Sequence, residues 1–166
     1  MKKTFTILLT LIGILVFGQE NKITEIDNQL KSIDTDTELI ESNFELINES
    51  CKLKIWHKEK QIFKIAQVKN VDYGEIKSKI YLVANKPIKI VESESTYFFL
   101  TDSIAKIKGY SIDIEENFRA IAYIINWNKK QRKLMVSGKP TEEKNATYNR
   151  IKYIEIFRKA EKLLNE

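Results

Sequence analysis

The sequence predicts an α+β fold: an antiparallel meander of hairpins packed by an N-terminal helix and a C-terminal amphipathic helix. Three observations predict it. Ile23, Ile26, Leu30 and Ile33 recur at helical steps with polar residues between them. From residue 52 to residue 136, short β-rich runs alternate with polar turns of hairpin length. Beyond Gly138 and Pro140, the residues Tyr148, Ile151, Ile154, Phe157, Ala160 and Leu164 keep a helical period again.

The chain opens with Met1-Lys2-Lys3, then an uncharged and almost wholly apolar run from Thr4 to Phe17, then Val16-Phe17-Gly18 ahead of Gln19. A charged start, a short apolar core and a small-residue end form the pattern of a secretory signal peptide. The apolar run is shorter than the ~20 residues a membrane-spanning helix needs. The division expected is therefore a signal peptide over 1–18, cleaved after Gly18, and one exported domain over 19–166. No stable transmembrane anchor is expected after cleavage. Gln19 stands where a lipoprotein signal needs Cys, which excludes lipidation. The periplasm or the cell exterior is the expected destination.

The first mature helix ends at Asp34-Thr35-Asp36-Thr37, a run of turn and capping residues. Residues 38–50 fit neither period, and a second short helix capped by Asp36 or Thr37 is one reading of them. Lys52 to His57 alternates as a strand, turns at Lys58-Glu59-Lys60 and returns through Ile62 to Val68. A second hairpin runs from Ile76 to Ala84, turns at Asn85-Lys86-Pro87 and returns from Ile88 to Glu92. A third runs from Ala120 to Trp127, turns at Asn128-Lys129-Lys130 and returns from Lys133 to Val136. Tyr97 to Leu100 adds a further strand, and residues 101–118 read as a long connection. Lys54-Ile55 matches Lys79-Ile80 and Lys64-Ile65 matches Lys89-Ile90 at an offset of 25 residues, which two ordinary antiparallel hairpins would give as readily as a hairpin repeat. Thr141 is a plausible cap for the last helix.

Composition narrows the function classes. Of 166 residues, 43% are apolar, which argues against a disordered chain. Without residues 1–18 the chain keeps 26 bases against 23 acids, a net charge of +3. The bases are spread rather than gathered, so no nucleic-acid partner is expected. One Cys allows neither an internal disulfide nor a Cys-based zinc site. His57 is the sole histidine. On one extended strand, Cys51 and His57 stand roughly 20 Å apart, far beyond the reach of a nucleophile and its base. Asp34, Asp36, Glu38 and Glu45 fall at four positions of a calcium-binding loop, but Leu39 occupies the position that needs Gly. Asp113, Glu115 and Glu116 read as exposed acids. Asn48-Glu49-Ser50 and Asn145-Ala146-Thr147 read as chance glycosylation patterns. No phosphate loop or nucleophile elbow occurs, so no catalytic residues, metal or cofactor are assigned.

Strand alternation supplies the candidate surface. Lys54 and Trp56 share a side, as do Lys79 and Tyr81, and as do Tyr123 and Trp127. If these sides coincide, an aromatic face flanked by lysines results, suited to an envelope protein, a glycan or a lipid. The bland alternative is that the final helix covers it. The function expected is a non-enzymatic binding or interaction module of the bacterial envelope. A carrier of lipid or another apolar molecule between sheet and helix is the second reading, and an unrecognised hydrolase the third.

Overall fold

The computed structural model describes residues 20–109, 111–141 and 150–166. Helix α1 covers residues 20–35. Seven strands follow: β1 Ile40–Leu46, β2 Cys51–Lys58, β3 Gln61–Val71, β4 Gly74–Val83, β5 Lys86–Phe99, β6 Ile112–Asn126 and β7 Gln131–Gly138. A short helix, α2 (Asp102–Lys108), links β5 to β6, and α3 (Arg150–Leu163) ends the chain. The strands form one antiparallel sheet in sequence order, β1 to β7. This is the α+β meander flanked by two helices that the patterning predicts. The signal peptide and its cleavage site, Tyr148 and the Asn145 sequon lie outside the described residues. Among the described residues, no helix is long and apolar enough to cross a membrane.

The two helices cover opposite faces of the sheet. Strand alternation brings Ile55, Ile65, Ile80, Ile90 and Ala122 into one row across five strands. This row packs with Tyr153, Ile156 and Ala160 of α3 into the larger core, joined by Leu53, Ile62, Leu82 and Ile124. Ile55, Ile65 and Ile80 have no exposed surface, because branched side chains on a pleated sheet fill the space beneath a helix without gaps. On the other face, Ile26, Leu30 and Ile33 of α1 pack with Tyr81 and Tyr123. The predicted apolar stripe of α1 is thus the buried stripe.

Several local expectations are corrected. Residues 40–46 form edge strand β1, followed by a single 3-10 turn at Ile47–Glu49, because β2 supplies a ladder partner for every residue from Ile40 to Leu46. Asp36 does not cap a helix. Its Oδ1 accepts the Glu38 amide at 2.9 Å and turns the chain into β1. The second hairpin turns on Ala84 and Asn85, both with positive φ (48° and 58°), and Pro87 already belongs to β5. Residues 101–118 are not an open connection, since β5 and β6 continue their pairing out to Phe99 and Ile112, with α2 at the tip. On α3, Tyr153, Ile156 and Ala160 face the sheet while Ile151 is exposed. The predicted stripe was rotated, because the sequence offers several apolar rows and the sheet selects one.

Candidate functional site

The row next to the isoleucines carries the candidate surface. Across the sheet it reads Glu41, Trp56, Lys64, Tyr81, Lys89, Tyr123 and Lys133, so aromatic and lysine residues alternate from β2 to β7. Each of the three hairpins contributes one aromatic and, directly opposite, one lysine. The 25-residue offset in the sequence is this register. The ammonium of Lys64 lies 4.1 Å from the centre of the Trp56 ring, and that of Lys89 lies 4.3 Å from the Tyr123 ring. These are cation–π distances.

Helix α1 closes this ladder with two aspartates. Asp34 takes Lys64 at 2.8 Å and the Tyr81 hydroxyl at 3.0 Å. Asp27 takes Lys89 at 3.0 Å, and its other oxygen accepts from the Tyr123 hydroxyl at 3.4 Å. The spacing has a simple origin. Seven helical residues rise about 10.5 Å, and two strand separations span about 9.6 Å. A helix laid across the strands therefore meets one hairpin per two turns.

The electrostatics follow from the burial. Loss of water around its hydroxyl, with the Asp34 carboxylate alongside, pushes the Tyr81 phenol well above the usual tyrosine range. Burial alone would lower the Lys89 ammonium, but its hydrogen bonds to Tyr123 and Asp27 outweigh that and raise it. Both groups have a folded pKa above the unfolded one. Their contribution is fully present below the unfolded values, near pH 10, and is lost as pH rises through the folded values. The expected result is a melting temperature that falls as pH rises above about 10, with a shallower fall in Tyr81→Phe. Thermal melts over an alkaline series measure it, and equal slopes for the two chains would refute this role of Tyr81.

The structure separates the predicted surface into three parts. Tyr81 and Tyr123 are buried beneath α1, with Trp56 half-buried at the edge. The covering helix is the N-terminal one, not the C-terminal one. Trp127 does not join the row. The register shift between Ile124 and Asn126 turns it into the core beneath α3, where the Arg150 guanidinium stacks on it at 4.4 Å. Lys54 and Lys79 lie on the same face as Trp56 but one row further from α1, and both are exposed. Lys52 and Lys77 stand in the row beyond. Four lysines thus frame a floor of Ala66 and Val68 on the half of the face that α1 leaves open. Lys52, Lys54 and Lys77 are exposed and pair with Glu45, Glu41 and the half-buried Glu75.

Beyond the lysines, β5 and β6 project as a two-stranded arm. Tyr97, Phe99, Ile112 and Ile114 share the open face, Phe98 points to the opposite one, and Ile104 and Ile107 sit on α2 at the tip. Phe99 is 82% exposed and Ile107 86%. Sequence reasoning missed the arm because its apolar residues look like an ordinary strand, and only the topology shows that neither helix reaches it.

The opposite face holds buried polar groups. Glu92 accepts from Ser78 at 3.2 Å and Tyr153 at 3.3 Å, and pairs with Lys152. Glu94 accepts the Thr141 amide. These contacts bind α3 and the segment before it to β5. The remaining candidates lie apart. Cys51 is buried at the start of β2 and accepts from Gln67, while His57 is at the far end of that strand. His57 Nδ1 donates to the Glu59 carbonyl at 3.0 Å, and Nε2 is hydrogen-bonded with the Ser42 hydroxyl at 3.0 Å. This serine–imidazole contact ties β1 to β2, and its 15-residue separation hid it from motif reading. Asp34 faces the ladder, whereas Glu38 and Glu45 face Lys58 and Lys52. Among the described residues, no three metal-ligating side chains converge. Hydrogen bonds from Lys108 and the Ile114 amide hold the Asp113 carboxyl below its usual range, and Glu116 pairs with Arg119.

Fold and surface together define a class: an open meander sheet with one helix on each face, half of one face and one arm left uncovered by the other described residues. No protein family, curated protein or solved structure matches the chain.

Proposed function

We propose that the chain is an exported, non-enzymatic binding module of the bacterial envelope. The observation that carries this reading is the arm formed by β5, β6 and α2, which presents Tyr97, Phe99, Ile104, Ile107, Ile112 and Ile114 to solvent. An apolar group of this size on one projection marks an interaction site. Lys54 and Lys79, on the same face of the sheet, serve as further contact residues, while Trp56, Tyr81, Tyr123 and Trp127 serve the fold. An envelope protein suits the arm best, with a glycan or a lipid as the other partners considered. The carrier reading asks for apolar space between α3 and the sheet. Ile55, Ile65, Ile80 and Ala160 meet there with no exposed surface, so it has less support. Nothing in the geometry favours a hydrolase.

A photo-crosslinking residue placed at Phe99 or Lys79 in the exporting cell tests the proposal. The expected result is one adduct of constant mass at Phe99, formed more weakly at Lys79. The control is Lys69, exposed near the far end of β3. No adduct at Phe99, or equal adducts at all three positions, would overturn it.

A further inference from the structure

We infer that β7 is a pairing edge for a second copy of this chain. β7 is the last strand of the sheet, and all eight of its residues are exposed. Its centre is Leu134-Met135-Val136, with exposures of 40%, 42% and 52%. Exposed edges are ordinarily blunted by central charges, proline or bulges. β7 has none of these at its centre, and its charges, Arg132 and Lys133, stand together near one end.

The hydrogen-bond phase of the strand fixes which groups are available. The Lys139 amide donates to the Asn117 carbonyl of β6, and Leu100 donates to Ser111 at the far end of the β5–β6 ladder. Carried along the two ladders, these bonds turn the backbone of Lys133, Met135 and Ser137 toward β6. Leu134 and Val136 then direct their N–H and C=O groups away from β6. Two copies can join antiparallel about a two-fold axis only in registers that match like phases. The register centred on Met135 satisfies this. It sets Leu134 opposite Val136 of the second copy in a hydrogen-bonded pair, and Met135 opposite its own counterpart in a non-hydrogen-bonded pair. Lys133 then faces Ser137 of the second copy, and Arg132 faces Gly138. No like charges meet, and apolar side chains meet apolar ones on both faces. Centring on Lys133 or Arg132 would oppose like charges instead. At the other edge, β1 centred on Asn43 would set Glu41 against Glu45 of the second copy. On β7 the symmetric pairing centred on Met135 meets no such clash, and it closes after two copies instead of growing into a fibre. One strand edge buries little area, which fits a weak dimer.

The test is sedimentation velocity on the purified exported chain over a rising concentration series, together with cysteine cross-linking. The expected result is a concentration-dependent dimer. Met135→Cys should form a disulfide-linked dimer under mild oxidation, since residues in a non-hydrogen-bonded pair have Cα atoms about 4.5 Å apart. Lys133→Cys, offset along the strand, should not. Native Cys51 is buried and does not compete. Val136→Pro removes only an outward N–H, so it should keep the melting temperature while weakening the dimer about tenfold or more. Three results would overturn the inference: a monomer at every concentration, which leaves the edge to a strand of another protein; a dimer that a folded Val136→Pro leaves intact; or equal linkage at residues 133 and 135. The cross-linking comparison decides the matter even if Val136→Pro fails to fold.

Discussion

A chain ending at Lys139 is expected not to fold. It lacks α3, and with it Tyr153, Ile156 and Ala160, which are buried, and Phe157, Leu163 and Leu164, which pack around them. At ~1.5–3 kcal/mol for each large apolar side chain buried, the loss is on the order of 10 kcal/mol. That is comparable with the whole stability of an ordinary domain, about 5–15 kcal/mol. The truncation also uncovers the isoleucine row and strips Glu92, a buried carboxylate, of its Lys152 and Tyr153 partners. An insoluble product, or a soluble one without a cooperative melt, is the expected outcome. A soluble truncation that melts cooperatively would show that the sheet and α1 suffice.

Tyr81→Ala is expected to cost about 3–5 kcal/mol, the range for removing a large aromatic side chain from a core. Tyr81 is 5% exposed, sits against α1 and donates to Asp34. Tyr81→Phe keeps the ring and loses only the hydroxyl, so it should cost about 1–3 kcal/mol. Chemical denaturation of both variants beside the parent measures the two contributions. If Tyr81→Ala left stability unchanged, the ring would have to be solvent-facing and α1 would not be seated as described. Adding Trp56→Ala should increase the loss by less than a fully buried aromatic would, because Trp56 is half-buried.

The architecture was legible because the meander leaves a local mark. A strand, a short polar turn and a returning strand stand together in the sequence, so the three central hairpins and both helices could be read without tertiary knowledge. The limits of β1 and β6 could not. Residues 40–46 alternate weakly, and their strand character comes from β2, whose edge they complete. The aromatic–lysine row was half legible. Parity along each strand put Trp56 with Lys54 and Tyr81 with Lys79, but parity says nothing about bulges. One register shift turns Trp127 to the other face. The lysines that matter to the row are Lys64 and Lys89 on the returning strands, and only cross-strand pairing reveals them. Nor could parity say which helix lies on which face. The seven-residue interval between Asp27 and Asp34 held that information, but its meaning needs the strand spacing as a ruler.

The seating of α1 also sets an order of events. Each strand finds its partner in the segment made just before or just after it, so the sheet can grow by short loop closures from either end. Among the described elements, helix α1 precedes every strand and has no such neighbour. Its Asp27 must reach Tyr123, 96 residues away, and its Asp34 must reach Tyr81, 47 residues away. Helix α1 must therefore wait until β6 has arrived before both of its aspartates are seated. Until then its apolar stripe stays open to whatever escorts the chain.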